Sequence, residues 1–324
     1  MMLHESLKDL PDLWAEAQEI VRQVPRGRVT TYGRVAEALG DRASSKFVWL
    51  ALTPSERAED VPWHRVVRSD GSLVGSRSSD TLAEKATLLS GEGVAVTSGK
   101  IADFRDLLYD DLKSSSPLSA LRAKQMRLRE RVKVPRSDVR LSRVAGVDVS
   151  YDGNRAFASL VTLDFESEEL LDERSRSSEV RFPYIPSYLA FRELPLVAPL
   201  VSSLDEETVL MYDGNGILHP HGFGVACHAG IVFDVPTIGV AKRLLCGTLS
   251  GGQNANVSKV LNHGEMVGYA VAHGEHKPIY ISPGHGISRS QSLFIVRRFL
   301  KSRIPIPLQM AHERANALRR SADD

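Results

Sequence analysis

The chain has 324 residues, of which 42% are hydrophobic and 25% are charged. This length and apolar content favour two domains, each with its own core, over one small domain. Its 41 Lys and Arg residues nearly balance its 40 Asp and Glu residues, and because the net charge is only +1, nucleic-acid binding must be judged from local charge.

No apolar run is as long as a membrane span, and residues 1–10 lack the pattern of a signal peptide. The two cysteines, Cys227 and Cys246, lie in apolar surroundings and match no metal or redox spacing. These features exclude an integral membrane protein and a disulfide-stabilised secreted protein. They predict a cytoplasmic protein with buried thiols and no membrane partner.

The first predicted elements form a helix-turn-helix. A basic segment, residues 25–32, leads into Gly33 to Gly40, where apolar residues follow helical spacing. Gly40 can adopt the positive φ of a tight turn, and Ser44 or Ser45 can cap a second helix that runs to Leu52. A short helix pair alone could also be a structural corner.

The string PWHRVV, Pro62 to Val67, follows the two helices, and Asp70-Gly71, Gly75 and a helix ending at Gly91-Glu92-Gly93 come after it. These motifs, in this order, resemble the O6-alkylguanine DNA alkyltransferases over residues 8 to 97. In that family a cysteine stands between the proline and the histidine, whereas this chain has Trp63. Since an indole is no substitute for a thiolate nucleophile, the alkyl acceptor is missing.

Tryptophan at this position is typical of the alkyltransferase-like proteins, which bind the damaged base without removing the alkyl group. The resemblance implies that Tyr32 pushes on the phosphate beside the nucleotide that leaves the stack. Lys46 stands where the family has the arginine that fills the gap, and it lacks the planar fork of a guanidinium. Trp63, His64 and Arg65 complete the predicted alkylated-base site.

A cationic stretch connects the two predicted domains. Residues 121–143 hold nine Lys and Arg residues against Glu130 and Asp138, which favours phosphate contacts, although a solvated helix face would look the same. Phe104 to Leu112 predict an amphipathic helix, and Ser114 to Pro117 mark a boundary. The predicted domains are 1–100, a bridging helix and linker at 101–117, and 118–324.

The second domain carries acidic residues on apolar strands. Val144 to Tyr151 and residues 156–164 predict two strands joined by a turn at Asp152-Gly153-Asn154, with Asp148 in the middle of the first. Another apolar strand, starting at Val209, ends at Asp213 and a glycine-rich turn. Two aspartates on neighbouring strands predict a site for a hard divalent cation, a constellation that many nucleases share.

Flanking motifs narrow this prediction. The segments are PYIP at residues 183–186, LAFRE at 189–193, DGNG at 213–216 with His219-Pro220, and PTIGVAK at 236–242. In order and spacing they resemble endonuclease V from about Leu118 onward. The resemblance implies a ribonuclease-H-like mixed sheet flanked by helices, so the whole chain is predicted to combine an α+β helix-turn-helix domain with an α/β nuclease domain. It further implies cleavage of the second phosphodiester bond 3′ to deoxyinosine.

The same resemblance assigns catalytic roles. Asp148, Glu193 and Asp213 match the family's carboxylates, and His312 matches a fourth position loosely, because the residues before it depart from the family pattern. Asp148, Asp213 and His312 are the expected ligands of Mg²⁺, for which Mn²⁺ is an expected substitute. Glu193 is expected to orient the attacking water and Lys242 to offset charge on the phosphate.

The resemblance also implies a lesion pocket with a rigid wedge, whose prolines fix the backbone. Ser187 stands where the family tends to have glycine, which bears on the size of the pocket. His228 and His285 could equally be packed histidines. The predicted wedge and pocket residues are Pro183, Tyr184, Ile185, Pro186, Leu189, Gly214, Gly216, His219, Val225 and Leu245.

Three functional hypotheses follow. The first is a DNA repair endonuclease that incises at deoxyinosine and carries a non-catalytic sensor for O6-alkylguanine. The second is an endoribonuclease acting on inosine, and the third is a non-enzymatic protein that binds alkylated DNA. The expected partner is double-stranded or single-stranded damaged DNA, or RNA under the second hypothesis, and a monomer is expected.

Overall fold

The computed structural model describes residues 5–75, 79–250 and 256–322. The chain folds into two compact units. The N-terminal unit comprises Leu10–Ala123 and Phe182–Pro186. The C-terminal unit comprises Lys124–Arg181 and, within the described ranges, residues 5–9 and 187–322.

The N-terminal unit is mainly helical. Its helices are α1 (Leu13–Arg22), α2 (Tyr32–Ala38), α3 (Ser45–Ala51), α4 (Ser79–Gly91) and α5 (Phe104–Leu107), and α6 (Pro117–Arg129) begins in it. Four two-residue strands complete it, β1 (Thr30–Thr31), β2 (Val66–Val67), β3 (Val96–Thr97) and β4 (Lys100–Ile101).

The predicted helix-turn-helix is confirmed as α2 and α3, and the Thr31 hydroxyl caps α2 by accepting a hydrogen bond from the Arg34 amide. The predicted cap of α3 is wrong. The Ser44 and Ser45 hydroxyls instead donate to the carbonyls of Asp41 and Arg42, which closes the turn before the helix.

Parallel pairing of β1 with β2 carries the Pro62 turn to the start of α2. Thr31 is paired with Val67, so Tyr32 and the short 3₁₀-helix Trp63–Arg65 are neighbours in space. Val29, Val67, Leu89 and Ile101 pack into one apolar core beneath them.

The C-terminal unit contains a mixed sheet of nine strands. These are β5 (Arg143–Asp152), β6 (Arg155–Asp164), β7 (Leu170–Glu179), β8 (Thr208–Asp213), β9 (Thr237–Ala241), β10 (Thr248–Ser250), β11 (Val257–Asn262), β12 (Glu265–Val271) and β13 (Ile279–His285). Their order is β10-β11-β12-β13-β9-β8-β5-β6-β7. The pairs β5/β8 and β8/β9 are parallel, and the other pairs are antiparallel.

Four helices pack on this sheet, α7 (Leu189–Val201), α8 (Val225–Phe233), α9 (Arg289–Phe299) and α10 (Ile306–Arg320). An extensive apolar core lies where α9 and α10 meet the central strands and includes Val144, Met211, Phe299 and Leu308. The predicted fold class, a mixed sheet flanked by helices with an N-terminal helical domain, is confirmed.

The bounds of the two units differ from the predicted domain bounds. Residues 101–123 join the N-terminal unit, because the Val29 amide donates to the Leu107 carbonyl and the Leu118 amide to the Leu39 carbonyl. Residues 5–9 join the C-terminal unit, where the Ser6 hydroxyl lies 3.3 Å from Nε2 of His228. The division itself falls inside α6, between Ala123 and Lys124.

In the described ranges, no helix is both long and apolar enough to cross a membrane.

Candidate nuclease centre and lesion pocket

Two aspartates meet on adjacent strands at the middle of the sheet. The register of β5 and β8 pairs Val147 with Tyr212, and Asp148 and Asp213 each follow by one residue. Both carboxylates are largely shielded from solvent, with side-chain exposures of 12% for Asp148 and 29% for Asp213. The parallel pairing of two buried strands therefore brings together the two acids that the sequence placed on separate strands.

His312 reaches this pair from α10. Its Nδ1 atom lies 2.7 Å from Oδ2 of Asp148, and its Nε2 atom lies 3.0 Å from the side-chain amide of Asn316, one turn further along the helix. The Ser150 hydroxyl donates to Oδ1 of Asn316 at 3.0 Å. The imidazole is thus held between β5 and its own helix.

Close docking of α10 on β5 depends on Gly146. A Cβ atom at this position would lie 2.3 Å from the carbonyl carbon of Pro307, so only glycine allows the helix to approach the strand this closely. Gly146 and Asp148 project from the same face of the strand, since side chains alternate along it. The face that receives α10 is therefore the face that presents Asp148 to His312.

Lys242, immediately after β9, forms an ion pair with Asp213, with 2.5 Å between Nζ and Oδ2. Burial raises the pKa of Asp213; the Lys242 ammonium opposes this rise and the charge of Asp148 adds to it. A cation near both carboxylates is therefore favoured electrostatically, and in this structure the lysine takes that role.

Glu193 extends from α7 and is only 7% exposed. Its two carboxylate oxygens each accept a hydrogen bond, one from the Tyr151 hydroxyl at 3.1 Å and one from the Tyr212 hydroxyl at 2.9 Å. Burial raises the pKa of Glu193 to about 8; the two tyrosine hydroxyls oppose the rise, and the charges of Asp148 and Asp213 add to it. This is the most perturbed carboxyl among the described residues of the site, which is typical of functional centres.

No three His, Cys, Asp or Glu side chains of the described residues lie close enough together to hold a metal ion. In this structure Asp213 is bonded to Lys242, and Glu193 is bonded to the two tyrosines. The donor chemistry nevertheless fits a hard cation, since the imidazole of His312 contacts Asp148, Asp213 lies on the adjacent strand, and the pKa of Asp213 is raised by burial and by the charge of Asp148.

The glycines of the DGNG turn serve backbone packing. A Cβ on Gly216 would lie 2.1 Å from the Pro283 carbonyl oxygen, and one on Gly214 would lie 2.5 Å from the Val225 side chain. Both directions are filled by protein, so these glycines let the turn pack on β13 and α8. Val225 is buried beside this turn.

Ser187, before α7, adopts a φ of 71°, and its carbonyl accepts a hydrogen bond from Gln125 at 2.8 Å. Glycine adopts this left-handed conformation with less strain than serine. The backbone conformation accounts for a preference for glycine here, so the substitution concerns the entry to α7 as well as the pocket.

The remaining pocket candidates differ in exposure. Tyr184 is 64% exposed between the buried residues Pro183 and Ile185, a presentation that suits a wedge. His219 is buried and its Nδ1 lies 3.3 Å from the His221 amide, while Leu245 is 52% exposed. The segment Phe182–Pro186 groups with the N-terminal unit, whereas Leu189 and the glycine turn belong to the C-terminal unit.

A narrow cleft in the N-terminal unit contains two of the predicted alkylguanine-site residues, Tyr32 and Trp63. The other described residues that line it are Trp49, Leu52, Thr53, Pro54, Val74, Gly75 and Thr81. The Trp63 ring occupies the acceptor position and is 8% exposed, and the Arg57 guanidinium lies 4.5 Å from its centroid.

His64 and Arg65 face away from that cleft and bind Glu92. Nε2 of His64 lies 2.8 Å from the Glu92 carboxylate, and Arg65 donates to the same carboxylate and to the Val24 carbonyl. Burial would raise the pKa of Glu92, but the hydrogen bonds from Arg65 and His64 outweigh it and lower that pKa to about 2. Lys46 is exposed on α3. None of these three side chains is among the described residues that line the cleft.

Comparison with known proteins identifies both units. The family model of Endonuclease V matches residues 124–313, and that of the 6-O-methylguanine DNA methyltransferase DNA-binding domain matches residues 12–94. The chain belongs to the Endonuclease V family. The predicted fusion of the two families is confirmed.

Full-length and single-domain relatives agree with this assignment. A bifunctional methyltransferase/endonuclease of Picrophilus torridus is 34% identical over 310 residues, 96% of this chain and 98% of that protein. An Endonuclease V of Thermofilum pendens is 46% identical over 182 residues, 55% of this chain and 78% of that protein. Endonuclease V of Ciona intestinalis, crystallised with DNA containing an inosine followed by a ribo-adenosine, has a TM-score of 0.58 and 27% identity over 63% of this chain and 98% of that one.

Four polar residues of this Endonuclease V fusion were missed in the sequence. They are Tyr151, Tyr212, Asn316 and Lys85, to which the sequence analysis assigned no role. Only Tyr212 carried a signal, because a tyrosine beside Asp213 in an apolar strand needs a hydrogen-bond partner when it is buried.

Proposed function

We propose that this protein is a DNA repair endonuclease that hydrolyses the second phosphodiester bond 3′ to deoxyinosine in a metal-dependent reaction. We further propose that its N-terminal unit binds O6-alkylguanine without removing the alkyl group. The observation that carries the nuclease proposal is the pair Asp148 and Asp213 on adjacent parallel strands, with His312, Lys242 and Glu193 around it.

The acid pair has the donor chemistry of a divalent-cation site. Asp148 and Asp213, together with His312, would hold the ion, for which Mg²⁺ is expected and Mn²⁺ is an expected substitute. The bound cation supplies electrophilic stabilisation of the scissile phosphate.

Two further side chains, Glu193 and Lys242, are proposed to act on the attacking water and on the phosphate. Glu193 would orient the attacking water, since its carboxylate is held in one orientation by two hydroxyl donors. Lys242, whose ammonium lies at Asp213, would offset the negative charge that develops on the phosphate.

Recognition of the lesion is assigned to the exposed tyrosine and the glycine turn. Tyr184, on a rigid Pro-Tyr-Ile-Pro segment, would wedge into the stack where the base leaves it. The base would sit near the backbone of Gly214 and Gly216, with Leu189, His219, Val225 and Leu245 around it. The inosine-containing DNA bound to the Ciona enzyme supports a base of this kind as the ligand.

The sensor role of the N-terminal unit rests on Trp63. The Picrophilus relative is called a methyltransferase, but in this chain an indole occupies the acceptor position and both cysteines, Cys227 and Cys246, belong to the C-terminal unit. Without a thiolate beside the lesion, binding without transfer is the expected outcome.

The test is incision of labelled duplexes that contain deoxyinosine, O6-methylguanine or no lesion, with Mg²⁺, with Mn²⁺ and with a chelator. Cutting of the deoxyinosine duplex at the second bond, only with metal and not by Asp213→Asn, supports the proposal. Cutting of a matched inosine RNA in preference to DNA would replace it with the endoribonuclease hypothesis. No cutting of any substrate would leave a binding protein.

Transfer is tested separately with O6-methylguanine carrying a labelled methyl group. Label that stays on the DNA after binding supports the sensor, whereas label on the protein contradicts it. A sedimentation measurement at the working concentration tests the expected monomer.

A further inference from the structure

Two tyrosine hydroxyls in the C-terminal unit converge on one carboxylate. Tyr151 on β5 donates to Oε1 of Glu193 at 3.1 Å, and Tyr212 on β8 donates to Oε2 at 2.9 Å. Each carboxylate oxygen therefore has its own donor. A carboxylate held at both oxygens cannot rotate about its terminal bond without losing a hydrogen bond.

Strand geometry makes this arrangement possible without displacing the acids. Successive side chains of a strand point to opposite faces, so Tyr212 points away from the face that presents Asp213. Tyr151 is three residues beyond Asp148 and likewise points to the opposite face. Glu193 still lies within electrostatic range of both aspartates, since the charges of Asp148 and Asp213 add to the rise in its pKa.

The side chains of Tyr151 and Tyr212 are themselves held in place. Tyr212 is 1% exposed, and the Tyr151 ring lies 4.4 Å from the Arg192 guanidinium, whose residue directly precedes Glu193. A buried carboxylate needs donors, so removing either hydroxyl would leave one oxygen of Glu193 unsatisfied and free to turn.

We propose that Tyr151 and Tyr212 are positioning residues for Glu193 in strand incision, because they fix its carboxylate in the orientation that acts on the attacking water. This inference rests on the proposed nuclease function and adds two residues to its machinery. Both hydroxyls are engaged by Glu193, so we expect them to act on the rate of the chemical step and to leave DNA affinity unchanged.

A purely structural role for the tyrosines makes a different prediction. If the hydroxyls only satisfy a buried acid, their removal lowers stability and leaves the single-turnover rate of the folded protein unchanged. If they position Glu193, the rate falls at temperatures where the variant is fully folded.

The experiment uses the full chain with Tyr151→Phe, Tyr212→Phe and the double variant, which remove only hydroxyls. Tyr280→Phe, on β13, is the matched control. Single-turnover incision of a deoxyinosine duplex is measured at saturating protein with Mg²⁺, and Kd is measured with a chelator. We expect about a ten-fold lower rate for each single variant and about a hundred-fold for the double, with Kd within about two-fold of wild type.

Rates within two-fold of wild type for all three folded variants would overturn the inference. So would a loss of affinity as large as the loss of rate. If Tyr212→Phe fails to fold, Tyr151→Phe decides alone, because its ring is held by Arg192 rather than by full burial.

A substrate-free measurement separates this inference from the proposed function. If wild type cuts no deoxyinosine DNA, the function fails, and the hydrogen bond from Tyr151 to Glu193 is tested by a double-mutant cycle of Tyr151→Phe and Glu193→Leu on the thermal unfolding midpoint. Non-additive midpoint shifts would show that the hydrogen bond exists, and catalytic positioning would fall with the function. Additive shifts would show that Tyr151 does not hold Glu193 and would overturn the inference itself.

Discussion

Lys85 carries a charged side chain into the apolar interior of the N-terminal unit. Its side chain is fully buried, its ammonium donates to the carbonyls of Val66 at 2.6 Å and Val74 at 3.3 Å, and it lies 5.3 Å from the centre of the Trp63 ring. Burial lowers the pKa of Lys85 to about 7. The carbonyls and the aromatic face stabilise the charge only partly, so the proton is held weakly at neutral pH.

Substitution of Lys85 by Met should remove a pH dependence from stability. The pKa of Lys85 falls from 10.5 to about 7 on folding, so between these values the unfolded chain binds more protons and stability rises with pH. Below about pH 7 the wild type carries the full penalty, on the order of 5 kcal/mol. Lys85→Met should lose this rise, while Lys46→Met, at an exposed site, should keep it.

Tryptophan fluorescence isolates the relevant unit, because Trp14, Trp49 and Trp63 all lie in the N-terminal unit and are the only tryptophans in the chain. Denaturant unfolding is followed at about pH 6.5 and about pH 9.5. An equal change of unfolding free energy in wild type and Lys85→Met would contradict the assignment of the buried charge.

At the level of elements, the packing of α10 on β5 should link stability to the proposed role of His312. Gly146→Ala would place a Cβ 2.3 Å from the Pro307 carbonyl carbon, so the helix must move. We expect a loss of about 1 to 3 kcal/mol of stability, as is typical of overpacking. Because α10 carries His312, incision should also fall at least about ten-fold, measured as a single-turnover rate.

Gly91→Ala is the control for this change. Gly91 ends α4, and a Cβ there would meet nothing within 4 Å, so alanine should cost nothing. Unchanged incision by Gly146→Ala would show that His312 follows the displaced helix or that its contact with Asp148 is dispensable.

Sequence patterns predicted the elements whose signal is local. The strands β5, β6 and β8 and the helices α2 and α3 follow from periodicity, turn residues and apolar runs. Strand β7 was missed because it is an edge strand with charged residues on both sides and no apolar alternation, and pairing with β6 alone forms it.

The candidate site residues were likewise predicted only where a local sequence motif marks them. The motifs supplied Asp148, Asp213 and Lys242, but the hydroxyls that hold Glu193 depend on which strands become neighbours, and no local pattern reports that. The buried Lys85 could not be predicted either, since an Ala-Glu-Lys-Ala helix segment looks solvent-facing until the fold covers it.

For the whole molecule, the cationic stretch 121–143 is only partly neutralised. Arg122, Arg140 and Arg143 form ion pairs with Asp41, Glu207 and Asp205. In contrast, Lys124, Arg127 and Arg131 line one cavity with Lys8, Glu5 and Asp9, and among the described residues no ion pair joins any of these four cations to a carboxylate. Free cations of this kind favour phosphate contacts.

Replacement of Lys124, Arg127 and Arg131 by Ala should therefore reduce the salt dependence of DNA binding. If each contacts one phosphate, the slope of log K against log salt should become less negative by about 2 to 3. The slope is measured on undamaged duplex, with the triple variant Arg122→Ala, Arg140→Ala and Arg143→Ala as control, whose paired cations should change it less. Equal changes in both variants would mean that pairing does not decide which cations meet DNA.

Mutations in the two units should affect the two proposed functions, lesion binding and incision, independently. Tyr32 and the cleft it lines belong to the N-terminal unit, whereas the acid pair and its hydrogen-bonded neighbours belong to the C-terminal unit. Tyr32→Ala should weaken binding to an O6-methylguanine duplex at least about ten-fold and leave incision at deoxyinosine within about two-fold, because a large aromatic contact is lost from one site only. Asp213→Asn should abolish incision and keep O6-methylguanine binding. If Tyr32→Ala instead slows incision of a duplex that carries both lesions and not of one with deoxyinosine alone, the sensor directs cutting in cis.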